Sequence, residues 1–172
     1  MRQTLVFAVA IACFTGQLAY PAKAVAAEPT AAQEQAAESA AIRKLFADYA
    51  QLMNDKDVDA IAGKIYDVPV IYHQPNGNHA AYTDHASLAK VWKGYIEAIE
   101  AKQGAVKLAI TDIAPCFLNQ NTAIVTTLSI RTVLKDNSTA LSGWLYVLNR
   151  KHGEWKISEI SSRDLDKPLS CP

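Results

Sequence analysis

The stretch Gly143-Trp144-Leu145-Tyr146-Val147-Leu148-Asn149-Arg150-Lys151-His152-Gly153-Glu154-Trp155-Lys156-Ile157 constrains the chain most. Two runs of alternating apolar and polar residues flank a short polar, glycine-containing segment, the pattern of two antiparallel strands joined by a tight turn. Upstream the same period of two recurs. Val106, Leu108 and Ile110 alternate with Lys107, Ala109 and Thr111, with Pro115 expected to bend or break that strand. After the Asn119-Gln120-Asn121 turn, Ile124, Thr126, Leu128 and Ile130 fall on one face, and Val125, Thr127, Ser129 and Arg131 on the other. Lys135 to Ser138 turn the chain again, so the C-terminal part reads as a meander of four strands.

The segment before the meander has a different period. Ile42, Leu45, Phe46, Tyr49, Leu52 and Met53 recur at helical spacing, with Arg43, Lys44, Asp48 and Gln51 opposite, which predicts an amphipathic helix ending near Asn54. Asp57 suits the N-cap of a short helix from Val58 to about Lys64. Val68 to His73 is a β-branched and aromatic run in which Pro69 argues for an edge position or a strand start. Gln74 to Asn78 is a turn, and His79 to Thr83 reads as a short returning strand. Asp84 then caps a second long helix, with Leu88, Val91, Trp92, Tyr95, Ile96 and Ile99 inward and Gly104 as its stop. Helices segregated from an antiparallel sheet mean an α+β fold with the helices on one sheet face.

A length of 172 residues fits one domain, but the N-terminus stands apart from it. Arg2, the apolar run Thr4–Phe14 and the small residues around Ala22-Lys23-Ala24-Val25-Ala26 have the three parts of a secretory signal peptide, cleaved after Ala24 or Ala26. The run is too short to span a bilayer. A competing reading makes Cys13 a lipid anchor, although the Leu expected three residues before it is missing. The chain therefore divides into a signal peptide at 1–24, an Ala-, Glu- and Gln-rich tether or frayed helix start at 25–38, a domain at 39–166 and a tail at 167–172. This predicts a periplasmic or secreted protein. Loss of 1–24 leaves 15 basic against 17 acidic residues, interspersed along the chain. No basic footprint survives that would mark nucleic acid or an anionic membrane as a partner.

Two cysteines remain, Cys116 and Cys171, and an exported chain can keep them oxidised. A bridge closing about 55 residues would stabilise the fold by about 4 kcal/mol in the chain-entropy account. The alternative is a buried thiol at Cys116 and a free one in the tail.

The element order resembles the nuclear transport factor 2-like superfamily in its SnoaL-like branch. The resemblance spans Ser39 to Asp164 and is carried by Tyr49, Asn54 and Asp57 of the first helix, by Tyr72-His73 before a Pro-Gly turn, by the helix from Asp84, and by the pattern Trp144–Ile157. It implies a cone-shaped, curved antiparallel sheet, with amphipathic helices on the concave face and an apolar pocket at the wide end. It also implies pairing of many members into homodimers through the outer sheet face. In the ketosteroid isomerases of the superfamily a helix-one tyrosine stabilises the enolate, a first-strand carboxylate moves the proton and a neutral carboxylic acid donates a second hydrogen bond. Carried onto this chain, the resemblance puts Tyr49 at the first role, His73 at the second and Leu145 at about the third. An imidazole can accept a proton near neutral pH; Leu145 can donate nothing, which argues against steroid isomerisation.

Plain structural readings stand beside these. Tyr49 lies on the apolar stripe of its helix, His73 suits a strand rim, and Arg131 suits solvent or an interface as well as a carboxylate clamp. Trp92, Leu128, Trp144, Tyr146 and Arg131 are the candidate ligand contacts; Trp92 also suits plain core packing. His73, His79 and His85 recur at intervals of six, a spacing that fits no local metal signature, so no metal is expected. Gly77 and Gly143 form no phosphate loop, and no nucleophile triad is present, so no cofactor is expected. Three functions remain. The first is an exported protein binding a small apolar or amphipathic molecule. The second is an acid–base enzyme (isomerase, dehydratase, cyclase or hydrolase) using His73 and Tyr49, with Asp67 or Arg131 auxiliary. The third is a dimerising interaction module without a ligand.

Overall fold

The computed structural model describes residues 30–74, 76–166 and 171. The expected signal peptide and most of the tail lie outside the described residues. Helix α1 spans Ala31–Asp55, so it starts well before the first amphipathic residue, and the tether expected over 25–38 is helical from Ala31 onward. The signal for this start is local: the Thr30 side chain accepts from the Gln33 amide while the Gln33 side chain accepts from the Thr30 amide, a reciprocal capping box. The turns at Ala31–Ala37 are exposed, and alanine's helix propensity needs no amphipathic stripe there. Packing begins at Glu38, whose carboxylate accepts from Trp155 Nε1 at 2.6 Å and pairs with Arg150 at 2.8 Å.

Lys56, in the left-handed conformation at φ 59°, ends α1. Asp57 then accepts from the Ala60 amide and caps α2 (Val58–Ala60), which runs into a π-helical turn, Ile61–Ile65. Strand β1 (Tyr66–His73) and β2 (His79–Tyr82) form a hairpin, and α3 (His85–Gln103) follows. The Ser87 amide donates to Asp84 at 2.7 Å, which caps α3 and holds the Asp84 carboxyl below its ordinary range. The meander is β3 (Val106–Asn119), β4 (Thr122–Val133), β5 (Thr139–Lys151) and β6 (Glu154–Arg163).

The six strands form one open sheet in the order β2-β1-β6-β5-β4-β3. The sheet is mixed, where a purely antiparallel one was expected: β1 runs parallel to β6, and every other pairing is antiparallel. Nor is β1 an edge strand. Pro69 is tolerated inside the sheet because β2 pairs only with Val70–His73, while the β1–β6 register skips from Tyr66 to Ile71. Pro115 likewise fails to break β3. It stays in register with Val125 on an edge strand, and the irregularity lies just before it, between Thr111 and Ala114, where Asp112 takes φ 49°.

Ile42, Phe46 and Tyr49 of α1 bury against Tyr66, Val125, Tyr146, Leu148 and Ile157. Phe46 and Tyr146 pack with ring centroids 4.9 Å apart. The inward row of β4 is Ala123, Val125, Thr127 and Ser129, all buried. The more apolar row, Ile124, Leu128 and Ile130, is only half-buried on the opposite face. Gly143 on β5 is buried where β6 crosses, and a Cβ there would lie 2.8 Å from the Arg163 carbonyl oxygen. Cys116 on β3 is bonded to Cys171, tying the chain end to the edge strand.

Candidate functional site

A cavity of about 210 Å³ opens between the inner sheet face and helices α1 and α3. Tyr49 and Met53 come from α1, while Leu88, Trp92 and Ile96 come from α3. The sheet supplies Val70 and Tyr72 from β1, Ser129 and Arg131 from β4, Trp144 and Tyr146 from β5, and Ile160 from β6. Each set follows from its element's period: four-residue steps on α3 and two-residue steps on the strands. Asn54 fixes the junction of α1 and β3. Its amide donates to the Leu108 carbonyl at 2.9 Å and its oxygen accepts from the Leu108 amide at 2.7 Å, so it pairs with the edge strand as another strand would.

Tyrosine dominates the wall. Five of the six tyrosines among the described residues line it: Tyr49, Tyr72, Tyr82, Tyr95 and Tyr146. A sixth, Tyr66, stands behind Tyr49, and the two hydroxyls share a hydrogen bond of 2.8 Å. Trp92 joins them, its ring 5.8 Å from both Tyr49 and Tyr66 and 5.6 Å from Tyr95. Burial pushes the phenols of Tyr49, Tyr66 and Tyr146 well up, and the neighbouring phenols add to the shift. Tyr72 is also raised, first by burial and then by Tyr95 and Tyr82. Each stays protonated at neutral pH, and those that line the wall, Tyr49, Tyr72 and Tyr146, can donate to a bound oxygen.

Formal charge enters the wall at three described residues: Lys56, Glu100 and Arg131. Lys56 reaches Glu100 at 2.7 Å, so these two compensate each other. Arg131 forms no ion pair among the described residues, and its Nε is buried with no hydrogen-bond partner. Trp92 Nε1 is in the same condition.

Of the candidate site residues, the structure brings Tyr49, Trp92, Trp144, Tyr146 and Arg131 together around the cavity. His73 is corrected: it is exposed on the other side of β1, where its Nε2 lies 3.2 Å from Glu159, and the cavity-facing residue is Tyr72. Leu128 is corrected for the same reason, since Ser129 and Arg131 hold the inward positions of β4. Leu145 also drops out as negative evidence for chemistry. It pairs with Thr126 and Ser161 outside the cavity, and its neighbour Tyr146 lines the cavity. A one-residue slip along a strand reverses the face, and each of these three readings slipped by one. Asp67 pairs with Lys151 at 2.6 Å and does not line the cavity.

Asn54 and Asp57, quoted for the resemblance, hold backbone; Asn54 also borders the cavity. His73 and His79 face each other across the β1–β2 hairpin, but no three metal-ligating side chains converge among the described residues. Sequence reasoning missed Tyr72, Tyr82, Lys56 and Glu100. Alternation from Val70 would have found Tyr72, and the four-residue step from Ile96 would have found Glu100.

No family model matches the chain, and no curated protein does. Solved structures do match it. An NTF2-like protein with a cystatin-like fold from Novosphingobium aromaticivorans superposes with TM-score 0.63 at 19% identity, covering 80% of this chain and 89% of that one. A ketosteroid isomerase-like protein from Erwinia carotovora atroseptica gives 0.52 at 18% identity, covering 73% and 94%. A type 2 hexachlorocyclohexane dehydrochlorinase, LinA, gives 0.56 at 15% identity, covering 76% and 86%. With three helices laid on an open six-stranded mixed sheet, this chain has the NTF2-like cone fold.

Proposed function

We propose that this protein binds a small apolar or amphipathic molecule in the conical cavity without turning it over. The observation that carries this reading is the wall itself, a ring of tyrosines and tryptophans without a free proton acceptor among the described residues. His73 is outside, the phenols are held protonated, and Glu100 is engaged by Lys56. A volume of about 210 Å³ suits a compact occupant, below the ~300–1,000 Å³ usual for drug-sized ligands. Titration with neutral 2-acetylnaphthalene, followed by tryptophan fluorescence, tests it. We expect a saturable signal that His73→Ala leaves unchanged and Trp144→Ala weakens roughly tenfold, about 1.4 kcal/mol. Absence of saturation in the wild-type chain would sink the proposal.

A second reading, an acid–base enzyme, is favoured by one contact. When Tyr66 donates to Tyr49, the Tyr49 proton is left for an oxyanion in the cavity. Structures described as ketosteroid isomerase-like and as a dehydrochlorinase share the fold. In this reading Tyr49→Phe abolishes turnover of a carbonyl substrate that the wild-type chain converts. The disulfide supports residence in an oxidising compartment after export. The half-buried apolar row Ile124, Leu128 and Ile130 supports a second copy of the chain as partner, which sedimentation equilibrium would detect as a dimer mass.

A further inference from the structure

We infer that the occupant of the cavity carries a carboxylate that pairs with Arg131, on a flat ring body held among the aromatic side chains. The inference rests on the binding reading above and adds the chemical class of the ligand. It begins from an imbalance. Arg131 brings a permanent positive charge to the cavity wall, with its Nε buried and unpartnered. The only acid in the described wall, Glu100, is held by Lys56, whose Nζ lies 2.7 Å from one carboxylate oxygen and 2.9 Å from the other. The cavity therefore keeps one cation with no counter-charge among the described residues, and its buried Nε stays without a hydrogen bond unless an acceptor completes it.

The hydrogen-bonding groups have the same bias. Trp92 Nε1, a donor with no accepting capacity, is also buried without a partner, and the protonated phenols add further donors. A ligand that satisfies this wall must accept. A carboxylate accepts at two oxygens, and its geometry matches the planar guanidinium fork.

Position supplies the orientation. Along the inward row of β4, Thr127 is fully buried, Ser129 nearly so, and Arg131 half-exposed, so Arg131 stands toward the mouth. Its register partner on β3 is Leu108, the residue clamped by Asn54. Deeper lie Tyr146 and Tyr49, both buried, with the half-buried Trp144 on the same strand as Tyr146. The ring body enters first, and the carboxylate stops at Arg131 near water, where part of its hydration is kept.

The test compares 2-naphthoate with neutral 2-acetylnaphthalene, similar in shape and differing in charge, by isothermal titration on the full chain. We expect the naphthoate to bind the wild-type protein at least tenfold more tightly, and that preference to weaken as salt is raised. In Arg131→Met the preference disappears while acetylnaphthalene still binds, which also shows that the variant folds. Arg131→Lys keeps the charge without the fork and retains part of the preference. Equal binding of both probes by the wild-type chain, or an undiminished preference in Arg131→Met, overturns the inference and leaves the binding reading standing. Failure of both probes to bind the wild-type chain overturns both.

Discussion

The paired hydroxyls of Tyr49 and Tyr66 allow a prediction with an internal control. Tyr66 is fully buried and absent from the cavity wall, whereas Tyr49, 4% exposed, borders the cavity. Tyr49→Phe strands the Tyr66 hydroxyl in the core, where an unsatisfied polar group costs about 1–3 kcal/mol. Tyr66→Phe leaves the Tyr49 hydroxyl beside a space that admits water, so only the net value of one hydrogen bond is lost, about 0.5–1.5 kcal/mol. Removing both hydroxyls strands neither, and the double variant should be more stable than the sum of the single losses predicts, by about 1 kcal/mol. Urea denaturation of the four proteins, with slopes compared to check two-state behaviour, measures each quantity. Additive losses, or a Tyr66→Phe cost equal to that of Tyr49→Phe, would refute the assignment of one hydroxyl to the core and the other to the cavity. The same pair has a pH signature. Both phenols are raised above the ordinary value of about 10, first by burial, so the folded state holds their protons more tightly than the unfolded chain. Their contribution is fully present below pH ~10 and is lost as pH climbs from there toward the folded values. Wild-type stability should fall above pH ~10, and the double Phe variant should fall less steeply.

Three further outcomes are expected. Cys171→Ser opens the link across 55 residues, and the chain-entropy account puts the loss at about 4 kcal/mol, readable as a lower urea midpoint. Gly143→Ala forces a Cβ to within 2.8 Å of the Arg163 backbone and 2.9 Å of Leu165; a cost of about 1–3 kcal/mol should appear in thermal melts. Asn54→Ala removes both bonds to Leu108, and hydrogen exchange at the Leu108 amide should accelerate more than at the β5 amides.

Much of this fold was legible because its helices announce themselves locally. The stripes of Ile42–Met53 and Leu88–Ile99 and the caps at Asp57 and Asp84 need no knowledge of distant residues. The face of each strand was not legible. Alternation divides β4 into two rows without saying which is inside, and here the rule that the apolar row faces in fails. The inner row must line a cavity, so it carries Thr127, Ser129 and Arg131, while Ile124, Leu128 and Ile130 stay outside. In β1 the irregular pairing around Pro69 interrupts the alternation, so only the segment from Val70 onward shows Tyr72 inward and His73 out. The disulfide was readable as the single pairing open to Cys116 and Cys171 once the expected signal peptide, with Cys13, is set aside. The parallel β1–β6 pairing had no local signal, because its two strands lie about ninety residues apart and no hairpin turn connects them.

That parallel seam also sets the order in which the molecule can be assembled. Among the described residues the β1–β2 hairpin has no neighbour in the sheet other than β6, and β6 is the last of the six strands in chain order. While the chain is being synthesised, α1, α3 and the first hairpin have no sheet to cover; the β3–β6 meander must form, and loop closure across most of the domain must be met, before they dock. The helical half therefore waits with part of its apolar stripes uncovered until β6 has been made, a period in which such surfaces favour aggregation. A chain stopped at Lys151 would lose far more than one strand, because its first hairpin would have nothing to join.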